Sequence, residues 1–199
     1  MLDLPELFSH HDAELVADAI LDENSEWQAD GLVLSGYIGS DAVKPFAEKI
    51  RSSDKDIFLV LRTANRSAGE IQDLRTGSRL VHAVMADLAK RMGDGTLSVC
   101  GFNRIGGVCS ANAADSLQML RAKYPNMFLL VDGYDYSVVN AKNASLAFNN
   151  LGYSGLVCVG RTVVSAWQIE DGMQMNPIER AIRATERIRK NLLRYISIL

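Results

Sequence analysis

Five short runs rich in Val, Leu and Ile recur along the chain without polar alternation: Gly31 to Leu34, Ile57 to Leu61, Ile105 to Cys109, Met127 to Val131 and Gly155 to Val159. A strand that alternates apolar and polar residues has one wet face. A strand that is apolar throughout is covered on both, which is the pattern of a parallel sheet. The intervening stretches are amphipathic at helical spacing. Ser78 to Met92 puts Val81, Val84, Met85, Leu88 and Met92 on one stripe, and Ala113 to Tyr124 stops before Pro125. This alternation predicts an α/β chain of strand-helix repeats. Leu97 to Cys100 reads equally as a sixth strand or as the lead-in to the third run, because Gly101 and Asn103 follow it.

Both ends read as helical. Ser9 with Asp12 resembles a capping box, followed by a stripe of Leu15, Val16, Ala19 and Ile20 that stops near Asn24. At the other end Asn176 is a cap, Pro177 takes the first helical position and Glu179 sits three residues after the cap. That opening predicts a helix through Ile178, Ile182, Ile188, Leu192, Ile196 and Leu199. No linker or low-complexity stretch intervenes, so residues 1–199 read as a single α/β domain. The ends differ in charge. Residues 1–30 carry nine acids and no Lys or Arg, whereas residues 177–199 carry six bases against Glu179 and Glu186. Two arrangements fit: terminal helices packed beside each other or beside a partner's, or two independently solvated faces.

With 48% hydrophobic and 23% charged residues, the chain has enough apolar surface for a full core and is neither disordered nor a disulfide miniprotein. The opening lacks the basic start and apolar stretch of a signal peptide, and no run suggests a membrane span. The expectation is a cytoplasmic protein that binds neither membrane nor nucleic acid, the basic stretch being short and free of interleaved aromatics. Cys100, Cys109 and Cys158 lie in apolar runs without a CxxC neighbour and read as buried thiols.

In parallel α/β architectures ligands bind at the carboxyl ends of strands. The tips here are all small, polar or charged: Ser35 to Asp41, Arg62 to Gly69, Ser110 to Asn112, Asp132 to Tyr136 and Gly160 to Thr162. Gly160 and Arg161 stand out, since glycine lets backbone approach an anion and arginine forks onto phosphate oxygens. Arg161 equally fits pairing with Asp132 or Asp135. Thr63, Asn65 and Ser67 fit either hydrogen bonding to a heterocycle or ribose, or capping of the next helix. Adjacent His10 and His11 with the distant His82 make a poor metal set, and no metal is expected. The sequence Asp54, Lys55, Asp56 precedes a strand and reads as a solvated turn at the opposite end. Gly152 to Gly160 contains no GxGxxG.

Several stretches, taken in order, resemble the orotidine 5'-phosphate decarboxylase family of bacteria. They are Asp30 to Asp41 (DGLVLSGYIGSD), Phe58 to Asn65 (FLVLRTAN), Gln72 to Leu74 (QDL), Ile105 to Ala111 (IGGVCSA), Phe128 to Gly133 (FLLVDG) and Gly155 to Arg161 (GLVCVGR). The likeness runs from about residue 28 to 170, and the last three stretches resemble that family's sixth, seventh and eighth strands. It implies a TIM-barrel-like phosphate-binding fold and, for the family, conversion of orotidine monophosphate to uridine monophosphate in pyrimidine biosynthesis without metal or organic cofactor. By resemblance the phosphate would lie at Gly133, Tyr134, Ser137, Gly160 and Arg161, and the base or ribose at Thr63, Asn65 and Ser67.

The departures matter as much. The family's catalytic Lys/Asp network sits in an Asp-x-Lys-x-x-Asp pattern at its third strand, and these residues contain no such pattern. No catalytic residue is therefore assigned. Ser35 and Gly36 stand where the family has Asn and Pro, Ala64 and Arg66 where it has Ser and Pro, and Ser137 near its phosphate-binding Gln. Asp132 stands where the family tends to have Pro, and would repel an anion unless paired with Arg161. A complete barrel usually takes about 250 residues. The expectation is thus an incomplete barrel of about five strands, the carboxy-terminal five β/α units, inactive alone as a lyase. The alternatives are a non-catalytic protein binding a phosphorylated nucleotide or sugar, or half of a split decarboxylase. Open strand edges predict self-association, as a homodimer.

Overall fold

The computed structural model describes residues 1–4, 9–135, 138–169 and 176–196. In chain order the elements are β1 (Leu2–Leu4), α1 (His10–Leu21), β2 (Gly31–Ser35), α2 (Ser40–Lys49), β3 (Asp56–Arg62), α3 (Gly69–Gln72), β4 (Arg75–Thr76), β5 (Arg79–Leu80), α4 (Val81–Gly93), β6 (Asn103–Ser110) and α5 (Ala114–Lys123). After them come β7 (Met127–Asp132), α6 (Val138–Ser145), β8 (Gly155–Val157), α7 (Arg161–Val164), α8 (Ala166–Ile169) and α9 (Pro177–Leu193).

The main sheet has the order β1-β2-β3-β6-β7-β8, with every pairing parallel. It forms a half-barrel of six strands, one more than the apolar runs predict. The sixth is not Leu97 to Cys100, whose Leu97 makes a lone antiparallel bridge to Asn103. It is β1, in register with β2 from Leu2 against Leu32 to Leu4 against Leu34. Three residues are too few to show a period, so this strand has no signature of its own; the pairing edge of β2 creates it. The strand Gly155 to Val159 ends earlier than expected, at Val157.

Both terminal caps form as read. Ser9 Oγ accepts from the Asp12 backbone N–H at 3.1 Å, and Asn176 Oδ1 accepts from that of Glu179 at 2.9 Å. The last helix stops at Leu193, and Leu199 lies outside the described residues. Helix α4 starts at Val81 rather than Ser78, because Gly77 (φ +63°) turns β4 into β5 just before it. Within α2, Pro45 has no N–H to donate to the Asp41 carbonyl one turn earlier. That carbonyl lies 2.9 Å from His10 Nδ1, which ties the start of α1 to α2.

Strand alternation sorts the residues onto two faces. Leu32, Leu34, Ile57, Leu59, Leu61, Ile105 and Leu129 are buried in one core cluster together with helix residues such as Phe46, Leu117 and Leu120. Each such side chain contributes about 1.5–3 kcal/mol of burial. On the concave face Val33, Val108 and Leu130 form a smaller cluster with the partly buried Phe58, Val60 and Cys158. Cys109 is buried as expected, whereas Cys100 is exposed. Helix α1 packs chiefly on α2, and α9 on α6, α7 and α8. No helix among the described residues is long and apolar enough to cross a membrane.

Asp54, Lys55 and Asp56 do not make a uniformly solvated turn. The Asp54 carboxylate is paired at 2.6 Å with Arg104, and Lys55 is only 6% exposed. Lys55 immediately precedes β3, and its ammonium is buried without a hydrogen-bond partner among the described residues.

Candidate functional site at the strand tips

The carboxyl ends of β3, β6, β7 and β8 lie side by side in the sheet order, so their loops form one rim. The first loop is organised by Gln72. Its Oε1 accepts from the Thr63 backbone N–H at 2.8 Å, its Nε2 donates to Thr63 Oγ1 at 2.9 Å, and Thr63 Oγ1 donates to Asn65 Oδ1 at 2.5 Å. Thr63 and Asn65 are thus held together within the loop. Asn65 precedes the turn Arg66–Ala68 without capping it through its side chain, and Ser67 is exposed.

Beneath this loop Arg62 grips Asp73 with two hydrogen bonds of 2.9 Å and donates to the Thr63 carbonyl at 2.6 Å. The guanidinium holds the Asp73 carboxyl below the usual range. Tyr37, from the tip of β2, donates its hydroxyl to the Leu61 carbonyl at 2.6 Å, and burial pushes its pKa upward. Cys109, in the middle of this packing, is pushed up to about 12 by burial and is an unreactive thiol at neutral pH.

The loop after β7 meets the loop after β3. Gly133 has φ +68°, and a Cβ there would lie 2.5 Å from the Ala64 Cβ and 3.0 Å from Ser110 Oγ. Only glycine combines that backbone with so close an approach. Tyr134 follows with its ring in the core, 6% exposed, and its hydroxyl has no hydrogen-bond partner among the described residues. Ser137 lies outside the described residues.

Asp132 shares the concave face with Leu130, and burial, then Asp3, raises its carboxyl above the ordinary range. Asp3, on β1, is in register with Val33 of β2, and so belongs to the same concave face. Arg161 opens α7 on the rim, exposed, and no ion pair joins it to Asp132 among the described residues. Gly160, before it, has open space where a Cβ would be. The structure therefore brings Thr63, Asn65 and Gly133 into one packed corner and sets Gly160 and Arg161 farther along the same rim.

Arg62, Gln72 and Asp73, which build that corner, were not among the predicted site residues. The signal was present only in part, as the QDL stretch of the resemblance. Nothing in the sequence shows that Gln72 folds back onto Thr63.

A parallel β/α sheet with its polar loops collected at the strand carboxyl ends defines a half-barrel of the (β/α)-barrel class. Residues 10–170 match the model of the Orotidine 5'-phosphate decarboxylase / HUMPS family, and the chain belongs to that family. The orotidine 5'-phosphate decarboxylase of Petrotoga mobilis is 30% identical over 152 residues, which are 75% of this chain and 52% of that protein. That of Clostridium kluyveri is 26% identical over 183 residues, 92% of this chain and 62% of the relative. The chain thus spans between about half and two thirds of these relatives' length. Among solved structures, the Plasmodium berghei orotidine 5'-monophosphate decarboxylase superposes with a TM-score of 0.74 at 20% identity, covering 98% of this chain and 57% of that one. The enzyme of Methanocaldococcus jannaschii, solved with the inhibitor BMP, gives a TM-score of 0.60 at 16% identity, covering 94% and 72%.

Proposed function

We propose that this chain is the nucleotide-binding part of an orotidine 5'-phosphate decarboxylase-type barrel. It binds a pyrimidine nucleoside monophosphate at the strand tips, and decarboxylation requires charged groups from another segment or polypeptide. The observation that carries this reading is the packed corner of Thr63, Asn65 and Gly133, with the exposed Arg161 on the same rim. In this reading the Gly133 backbone and Arg161 hold the phosphate, and the Thr63 to Ser67 loop meets the base or ribose. The second half of the proposal is supported by the sequence, which has no Asp-x-Lys-x-x-Asp. Decarboxylation by electrostatic preorganisation needs every charge in place. No organic or metal cofactor enters the scheme.

The edges of the sheet support a completing partner. Among the described residues, strands β1 and β8 each have one unpaired side, and such edges are ready to pair with another chain. That partner is either a second copy, giving a homodimer, or a separate chain carrying the remaining strands.

The test is a thermal-shift titration with uridine monophosphate, orotidine monophosphate and ribulose phosphate, followed by a carbon dioxide assay. A ligand at 100 times its dissociation constant adds about 2.7 kcal/mol of stability. The expected result is a shift with a pyrimidine nucleotide that Arg161→Ala abolishes, with no carbon dioxide from orotidine monophosphate. Rapid decarboxylation by the purified chain alone overturns the catalytic half of the proposal. Absence of any shift overturns the binding half.

A further inference from the structure

A second constellation lies behind the strand tips. A cleft of about 400 Å³ is lined by Arg62, Asp73, Leu80, His82 and residues 112–116. His82 is 1% exposed, and both its ring nitrogens have partners. Nδ1 lies 2.9 Å from the Gln72 carbonyl and 3.3 Å from Asp73 Oδ1. Neither oxygen can donate, so Nδ1 carries the proton and Nε2 of the neutral ring is an acceptor. Nε2 lies 3.1 Å from Ser116 Oγ. The Ser116 hydroxyl therefore donates to an imidazole whose tautomer is fixed from behind by a carbonyl and an ionised carboxylate. This is the relation between nucleophile, base and orienting group in serine-dependent acyl transfer.

The surroundings fit that chemistry. Ser116 is in the first turn of α5, whose N-cap Ala113 offers no side-chain acceptor. The N–H groups of that turn have no intrahelical partner and are available to an oxyanion forming in the cleft. Leu80 supplies an apolar wall, and Asp115 places a negative charge at the mouth, which disfavours anionic substrates. Asp73, His82 and Ser116 are far apart in sequence, and no motif announces them.

We propose that Ser116, His82 and Asp73 form an acyl-transfer site, adjoining the nucleotide site and sharing Asp73 with the loop that shapes it, that hydrolyses small neutral carboxylic esters. Ser116 Oγ attacks the ester carbonyl carbon as its proton passes to His82 Nε2. Collapse of the adduct breaks the bond to the alcohol oxygen, and the alcohol leaves with that proton. Water then attacks the acyl-serine, giving its proton to His82. The carboxylic acid departs, and the proton returns to Ser116 Oγ.

The test treats the whole chain with a fluorophosphonate probe and with 4-nitrophenyl acetate, and maps the labelled peptide by mass spectrometry. Labelling at Ser116 is expected, absent in Ser116→Ala and about 100-fold slower in His82→Gln. Should His82→Gln fail to fold, Asp73→Asn replaces it and should be labelled about 10-fold more slowly, because the imidazole loses its orienting carboxylate. The nucleotide-induced thermal shift of Ser116→Ala should equal that of the unaltered chain, which separates this proposal from the one above. A protein that is unlabelled, is labelled elsewhere, or reacts at a rate indifferent to the changes at His82 and Asp73 overturns it, since a purely structural hydrogen-bond network gives that result.

Discussion

Gly133 and Ala64 touch so closely that a single added methyl on Gly133 would lie 2.5 Å from the Ala64 Cβ. This contact joins the loop after β7 to the loop after β3. Gly133→Ala meets two penalties at once, the left-handed φ of +68° and the collision. The expected loss is about 2 kcal/mol or more in urea unfolding. Ala64→Gly introduced beside it should recover part of that loss by removing the collision, and a double-mutant cycle reads the coupling. Strict additivity of the two changes would show that the loops do not meet as described.

Arg121 is a second anchor, on the helix side. It donates to the carbonyls of Ala147 and Ser154 at 2.8 Å, of Pro125 at 3.0 Å and of Tyr124 at 3.3 Å. Burial lowers its pKa to about 10, which leaves it charged at neutral pH. Arg121→Met preserves much of the apolar stem while taking one donor from each of these carbonyls; Ser154 and Tyr124 keep a backbone N–H and Ala147 keeps the Ser154 hydroxyl. The change should cost about 3 kcal/mol of unfolding free energy. A loss below about 1 kcal/mol would mean that water satisfies the carbonyls instead.

Acid should weaken the Arg62–Asp73 clamp. The Asp73 carboxyl is depressed chiefly by its hydrogen bonds to Arg62. A group with a lower pKa in the folded state stabilises fully above its unfolded pKa and loses that contribution as pH falls toward the folded value. Asp73 is 41% exposed, so solvent screens the pair and Asp73→Asn should cost only about 1 kcal/mol at neutral pH. The difference should close as the pH drops below about 4, where both forms lack the charge. Melting curves of the two proteins from neutral to acid pH check this, and a gap that widens on acidification contradicts it.

Asp132 has the opposite sign. Burial and then Asp3 raise its pKa, so its ionised form opposes folding. Its contribution is fully favourable below the unfolded pKa and is lost as pH rises through the folded one. Asp132→Asn is therefore expected to be more stable at neutral pH, by about 1 kcal/mol for a partly buried group. That advantage should shrink below about pH 4. The same change should tighten nucleotide monophosphate binding, because a negative charge leaves the rim. A less stable variant at neutral pH would show that the carboxylate has a favourable partner.

The local rules were legible wherever one residue or one period sufficed. The caps at Ser9 and Asn176, the stop before Pro125 and five of the six main strands follow from residue type and spacing, because capping and two-sided burial act over a few residues. The strand Leu2–Leu4 is different, since its three residues acquire their conformation only from the free edge of β2. The rim was legible as a set of polar strand tips, but its internal order was not. Gln72 reaches Thr63 across nine residues, Gly133 meets Ala64 across sixty-nine, and His82 finds Ser116 across thirty-four. The sequence by itself determined a parallel β/α chain with polar loops at one end of its strands. Which of those loop residues touch was decided by the tertiary structure, because side-chain pairing between distant segments depends on sheet curvature and packing that no local pattern encodes.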